Sequence, residues 1–205
     1  MLKISYSVLL KHFIIETLNH FFMKTTFIFF ATILLMVSVL FSSFTKSEEN
    51  TSFQRINWLT VEEAIKLNEV ENRKIMFYVT TTWCASCRKM ESTTFTNQKV
   101  VNYINENYYP VQFDAETRED ITINDELYTF NSQVGKRGAH SLALYLTNGR
   151  LVYPTTTILN ERLENPQPVF GFLNVSDIHM LLKYFGENYY RTVEWEVFSK
   201  IYASK

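Results

Sequence analysis

The chain has 205 residues, 46% of them apolar and 20% charged, with five glycines, four prolines and a net charge of −1. That length holds one ordinary domain rather than two. The apolar content excludes a disordered chain, and the near-neutral charge excludes the broad basic footprint of a nucleic-acid binder. Two cysteines are too few for a disulfide-dense scaffold, so their position matters more than their number.

The N-terminal part reads as targeting. Thr25 to Thr45 carries no charge and Phe27 to Phe41 is nearly all apolar, with Lys24 before the run and Lys46, Glu48 and Glu49 after it. A positive residue, an apolar stretch and a polar flank form the layout of a signal peptide. The same run is long enough to span a bilayer as a single anchor. Met23 fits as the start of this signal, which makes residues 1–22 an upstream extension, 23–46 a signal peptide or membrane anchor, and 47–57 a linker. Either outcome places the rest of the chain outside the cytoplasm, periplasmic or anchored facing the periplasm, where disulfides persist.

The remainder alternates helix and strand. Thr60 and Glu63 make a capping box ahead of Val61, Ala64, Ile65 and Leu67, so a short helix starts there. Ile75 to Val79 is a continuous apolar run rich in β-formers, the pattern of a strand buried on both faces. A helix follows from Cys84 to Ser92, another around Val100, Val101 and Ile104 opened by Asn97, and a strand from Tyr109 to Phe113 ending in Asp114. Ile121 to Ile123 and Leu127 to Phe130 flank Asn124-Asp125 as a small hairpin. Gly135 to Gly138 is a basic loop, and His140 to Leu146 has helical spacing that stops at Asn148-Gly149. Thr155 to Leu159 and Val169 to Phe172 read as a strand pair. Ser176 is the expected cap of a helix carrying Ile178, Leu181, Leu182 and Phe185, and Val193 to Ile201 suggests one more. A strand, a crossover helix and another strand imply parallel pairing, and the last two strands an antiparallel hairpin. The fold class is α/β, a mixed β-sheet with helices on both faces.

The chemistry concentrates at Trp83-Cys84-Ala85-Ser86-Cys87, which holds both cysteines at a strand-to-helix junction. A cysteine at a helix N-terminus has its thiolate stabilised by unsatisfied backbone N–H groups and by the macrodipole. Cys84 is therefore the candidate attacking thiol and Cys87, one turn further on, the resolving one. A zinc site normally takes four ligands, and no second cysteine pair exists. A passive structural disulfide stays open.

The stretch Trp83 to Glu91, with Thr94-Phe95, Val100 and the strand Val111 to Asp114, resembles the thioredoxin superfamily, in particular its exported bacterial branch with a Cys-x-x-Cys-Lys/Arg-x-Met pattern. The similarity covers about Trp58 to Phe185. It implies a thioredoxin-like fold over residues 58–186, with an insertion at 117–150 before the cis-proline strand and an extra C-terminal helix in 187–205. It further implies thiol–disulfide exchange with protein thiols and disulfides, no cofactor, a membrane redox partner, and a monomer. The family's cis-proline has two candidate positions. Ala139-His140-Ser141 would put histidine in its place, whereas Tyr153-Pro154-Thr155 has the proline and family-like spacing after it. Pro154 is the choice, with Trp83, Tyr153 and Thr155 as its substrate-binding neighbours. Where simple thioredoxins carry a buried carboxylate, this chain has Tyr78, whose pKa near 10 bars it from serving as the same base. Tyr78 and His140 are accessory candidates. Two other readings remain open: a thioredoxin-fold protein- or peptide-binding module without turnover, and Cu(I) held by Cys84, Cys87 and His140.

Overall fold

A computed structural model describes residues 53–203, which a four-stranded sheet organises. In chain order the elements begin with helix α1 (Val61–Val70), strand β1 (Lys74–Thr80), helices α2 (Ala85–Thr93) and α3 (Gln98–Asn107), and strand β2 (Tyr108–Asp114). Short strands β3 (Ile121–Ile123), β4 (Glu126–Tyr128), β5 (Phe130–Asn131) and β6 (Ala139–His140) follow, then helix α4 (Ser141–Leu146). Strands β7 (Thr155–Leu159) and β8 (Gln167–Phe170) return to the sheet, followed by helix α5 (Val175–Gly186), a 3-10 turn at Tyr189–Arg191 and helix α6 (Trp195–Ala203). The signal or anchor expected in residues 23–46 and the extension in 1–22 lie outside the described residues. Among the described residues, no helix is long and apolar enough to cross a membrane.

Sheet order is β2-β1-β7-β8, with β1 parallel to β2 and antiparallel to β7. All seven residues of β1 are buried, because both of its edges are paired and both sheet faces are covered by helices. Side chains alternate along the strand. Ile75, Phe77 and Val79 pack with Val61, Ala64, Leu142 and Leu146 from α1 and α4. Met76 and Tyr78 pack on the other face with Cys87, Met90, Val101, Ile104, Ile178 and Leu182 from α2, α3 and α5. This is the mixed sheet flanked by helices expected for a thioredoxin-like fold.

Local chemistry fixes the helix starts. Thr60 and Glu63 form the expected capping box, and Asn97 caps α3 through a bond from Lys99 N. The cap of α5 differs from expectation. Asn174, not Ser176, accepts from Asp177 N at 3.0 Å, and the helix has already begun at Val175. Asparagine in extended conformation two residues earlier reaches that N–H, and Ser176 falls inside the first turn. The described part of the expected linker, residues 53–57, is also tied to the body. Gln54 and Gln98 exchange hydrogen bonds, Asn105 accepts from Asn57 N and donates to Arg55 O, and Ile56 is buried. Paired amides of this kind left no hydrophobic signal to read.

The insertion carries its own small structures. Asn124 and Asp125 both have positive φ, as a two-residue hairpin between β3 and β4 requires. The strand expected to run on to Phe130 instead breaks after Tyr128, and Phe130–Asn131 pairs with Ala139–His140. Gly138 closes that pairing at φ +79, where a Cβ would stand 2.3 Å from the Phe130 ring. The Arg118 guanidinium also lies over Phe130, 4.4 Å from the ring centroid. Beyond α5, Trp195 and Phe198 of α6 pack on Tyr184, with ring centroids 5.1 Å away in both cases.

Candidate active site

β1 delivers the chain to Thr81 and Thr82, and the next residues turn into α2. Cys84 is the N-cap of that helix: its backbone is extended and its Sγ accepts the Cys87 N–H at 3.1 Å. It is bonded to Cys87 as a disulfide with a Cα–Cα separation of 5.2 Å. Cys84 is 4% exposed and Cys87 fully buried, so of the two cysteines the one at the helix start keeps the surface. The same N–H that bonds Sγ would hold a thiolate there once the disulfide opens.

The segment before β7 comes alongside. The Tyr153–Pro154 peptide bond is cis, and the Ser86 hydroxyl of α2 donates to Tyr153 O at 3.4 Å. Gly171 N donates to Pro154 O at 2.8 Å, which ties this turn to the end of β8. Trp83, 48% exposed, meets the edge of Tyr153 at 5.9 Å between centroids. Burial, with the charges of Glu116 and Asp114, pushes the Tyr153 phenol up to about 12. Of the residues expected to face a substrate, Trp83 and Tyr153 keep exposed surface. Pro154 and Thr155 do not; Thr155 is fully buried and donates its hydroxyl to Val152 O at 2.6 Å. It fastens the turn from within.

The two accessory candidates divide. Tyr78 lies under the motif and donates its hydroxyl to Cys87 O at 3.0 Å. Burial first, then the Glu91 charge, hold its pKa well above the ordinary tyrosine range, so it stays a phenol and a donor. His140 is not free to serve the cysteines. Its Nδ1 accepts from Leu142 N at 3.2 Å, capping α4, and its Nε2 is 2.9 Å from Glu119 O. Both ring nitrogens are used, and burial lowers its pKa, which keeps it neutral. A histidine so bound has no lone pair left for a metal. Among the described residues, no group of three or more His, Cys, Asp or Glu side chains is placed to hold a metal ion.

Two further side chains meet Trp83. Glu116 accepts from the Trp83 indole N–H at 2.9 Å, and the Arg137 guanidinium lies over the indole, 5.6 Å from its centroid. Arg137 belongs to the basic loop Gly135 to Gly138. Glu116 is 33 residues from Trp83, and no local pattern links them. A cleft of about 500 Å³ opens beside the motif, lined by Thr80, Thr81, Thr82, Arg88, Glu91, Gln112 and Asp114.

The chain is similar to several known proteins. Spermatogenesis-associated protein 20 of Mus musculus is 32% identical over 89 residues, which is 43% of this chain and 11% of that protein. An uncharacterized protein of Archaeoglobus fulgidus is 29% identical over 58 residues, 28% of this chain and 46% of the other. The chain thus spans a small part of the mammalian relative and under half of the archaeal one. Among solved structures, a DsbH oxidoreductase superposes at TM-score 0.47 with 13% identity, covering 68% of this chain and 92% of that one. A thioredoxin-fold protein from Helicobacter pylori gives 0.49 with 10% identity, over 65% of this chain and 81% of that one. The fold assignment rests on the strand order and on the family profile. That profile, Thioredox_DsbH, described as a protein of unknown function, DUF255, matches residues 41–194. On that match, and with its disulfide at the start of α2, the chain belongs to the Thioredox_DsbH family of thioredoxin-like proteins.

Proposed function

We propose that the protein is an extracytoplasmic thiol–disulfide oxidoreductase that works on protein substrates through the Cys84/Cys87 pair. The observation that carries this reading is the position of Cys84, an N-cap whose sulfur already accepts a backbone N–H from the first turn of α2. A purely structural disulfide gains nothing from such a place; a thiolate nucleophile and leaving group does.

In the reducing direction the Cys84 thiolate attacks a substrate disulfide. The Cys84–substrate bond forms, and one substrate sulfur leaves as thiolate and takes a proton from solvent. The Cys87 thiolate then attacks Cys84 Sγ, the Cys84–Cys87 disulfide forms, and the second substrate thiolate departs. Two electrons move to the substrate, and a reductant of the thiol class restores the pair. In the oxidising direction each step reverses. Trp83 and Tyr153, with the cis turn at Pro154 beneath them, would frame the substrate segment, and the apolar run at residues 23–46 supports export or anchoring near a membrane redox partner. Ala85 and Ser86 place no charge beside Cys84, which leaves the helix terminus as the main influence. The expected potential is intermediate, between about −270 and −120 mV.

Paired variants test the reading. Cys84→Ser should lose turnover, whereas Cys87→Ser should keep the attacking thiol and accumulate mixed disulfides visible on non-reducing gels. Equal activity in both variants would contradict it.

A further inference from the structure

The charged side chains are distributed unevenly along the sheet. The ion pairs found among the described residues are Arg73–Glu71, Lys74–Glu161, Lys183–Glu187 and Arg191–Glu161. They gather at one end. Lys74 opens β1, and Glu161 follows β7 just beyond Leu159, the partner of Ile75. The C-terminal part of α5 joins the same end, where Leu182 O accepts from the hydroxyl of Tyr108 at the start of β2. The cysteines lie at the other end, beyond Thr80.

There the cations are exposed and, among the described residues, unpaired by carboxylates. Arg88 and Lys89 follow Cys87 directly, and Arg137 lies over Trp83. Lys89 lies 5.0 Å from the ring centroid of Phe172, and Arg150 lies 4.8 Å from that of Phe170. Each ring connects to the site: Trp83 precedes Cys84, and Phe170 and Phe172 flank Gly171, which donates to Pro154 O. The carboxylates nearest the motif, Glu91, Asp114 and Glu116, keep their charge but are half-buried, set back from the exposed cations. Glu116 takes the Trp83 N–H, Asp114 the Glu116 N–H and Glu91 the Gln112 amide. A cation over an aromatic face keeps its charge and its remaining donors available, while the ring limits its freedom.

From this arrangement we infer that the cysteine-bearing end is a docking surface for acidic segments, in which the substrate cysteine is flanked by Asp or Glu. The inference rests on the oxidoreductase reading and names its substrate class. Trp83 and Phe172, 48% and 37% exposed, give the apolar floor. Arg137 on one side and Lys89 on the other give the charge. Gly138 and Phe130 fix the insertion loop that carries Arg137, so the insertion supplies part of the selectivity. Rim charges of this kind act mainly on encounter, through the association rate and its dependence on salt.

The test uses the full chain in a non-ionic detergent, reduced, with three disulfide-linked peptide dimers. These have the same length and carry acidic, neutral or basic residues beside the cysteine. Each rate is divided by that of dithiothreitol on the same dimer, which removes the effect of flanking charge on the leaving thiol. The expected order is acidic, neutral, basic, spanning about tenfold or more at low salt and narrowing as salt is raised. Arg137→Glu should compress or reverse the order, and a Lys89→Glu variant should do so independently. Equal ratios, a preference for the basic dimer, or variants that slow all three dimers alike would overturn the inference and leave the oxidoreductase reading standing. Failure of the wild type to react with any dimer would remove both.

Discussion

At the residue scale, two side chains on the cysteine face of the sheet make opposite predictions. Tyr78 is satisfied: it donates to Cys87 O and stays protonated in its buried position. Tyr78→Phe should cost about 1 kcal/mol of stability in urea unfolding, the usual value of one such bond. It should leave the pH profile of turnover between pH 6 and 9 unchanged, because a phenol held protonated contributes no limb there. A lost limb in that range would show the hydroxyl acting in proton transfer. Thr156, which pairs with Tyr78 across β1 and β7, is the reverse case. Its hydroxyl is buried without a hydrogen-bond partner. Thr156→Val, which keeps the shape and removes the orphaned group, should stabilise the protein by about 1 kcal/mol. A loss of stability would mean that the hydroxyl has a partner in solution. A short motif and its spacing were enough to place Cys84 and Cys87 at a helix start and Pro154 in the turn before β7. The sequence does not reveal that Thr155 turns inward onto Val152 O, or that His140 bonds Leu142 N and Glu119 O.

At the element scale, the helices and strands of the sheet were readable wherever a periodic apolar pattern met a capping residue. The buried run of β1 and the Thr60–Glu63 box at α1 are the clearest cases. The α5 start was displaced because serine and asparagine cap equally well and lie two residues apart. A pair of variants separates them. Asn174→Ala should cost about 1 kcal/mol, and Ser176→Ala should stay within about 0.5 kcal/mol of wild type. The reverse order in thermal or urea unfolding would place the cap at Ser176. The β5–β6 pairing was hidden for a different reason: two-residue strands have no periodicity, and their register depends on Phe130 packing over Gly138. Gly138→Ala meets both positive φ and the Phe130 ring, so it should cost about 2 kcal/mol or unfold the loop locally. Faster amide exchange in residues 130–140 would report that loosening, and unchanged exchange would contradict it.

Across the whole molecule, ionisable groups inside the fold define a pH window. His140 and His179 are buried with lowered pKa values, chiefly through desolvation, relative to an ordinary 6.5. A group whose folded pKa is depressed contributes stability above its unfolded value and loses it as pH falls. Tyr78, Tyr103 and Tyr108 are raised above the ordinary 10.0, again mainly by burial. Their contribution is complete below the unfolded value and is lost as pH rises through the folded one. Stability should therefore form a plateau between about pH 7 and pH 10 and fall on both sides. Urea midpoints across pH 5 to 11 check this, and a midpoint still rising above pH 10 would contradict it. The proposed exchange chemistry belongs to the same scale, because β1, α2 and the Tyr153–Pro154 turn all contribute to one candidate site.

The most direct measurement of that chemistry is a redox titration of the full chain in glutathione or dithiothreitol buffers, quenched by alkylation and read as mass shifts at Cys84 and Cys87. A reversible two-electron transition, both cysteines changing together at a potential between about −270 and −120 mV, is the predicted result. A pair that stays oxidised or stays reduced across that whole range, or two cysteines that change independently, would contradict the account.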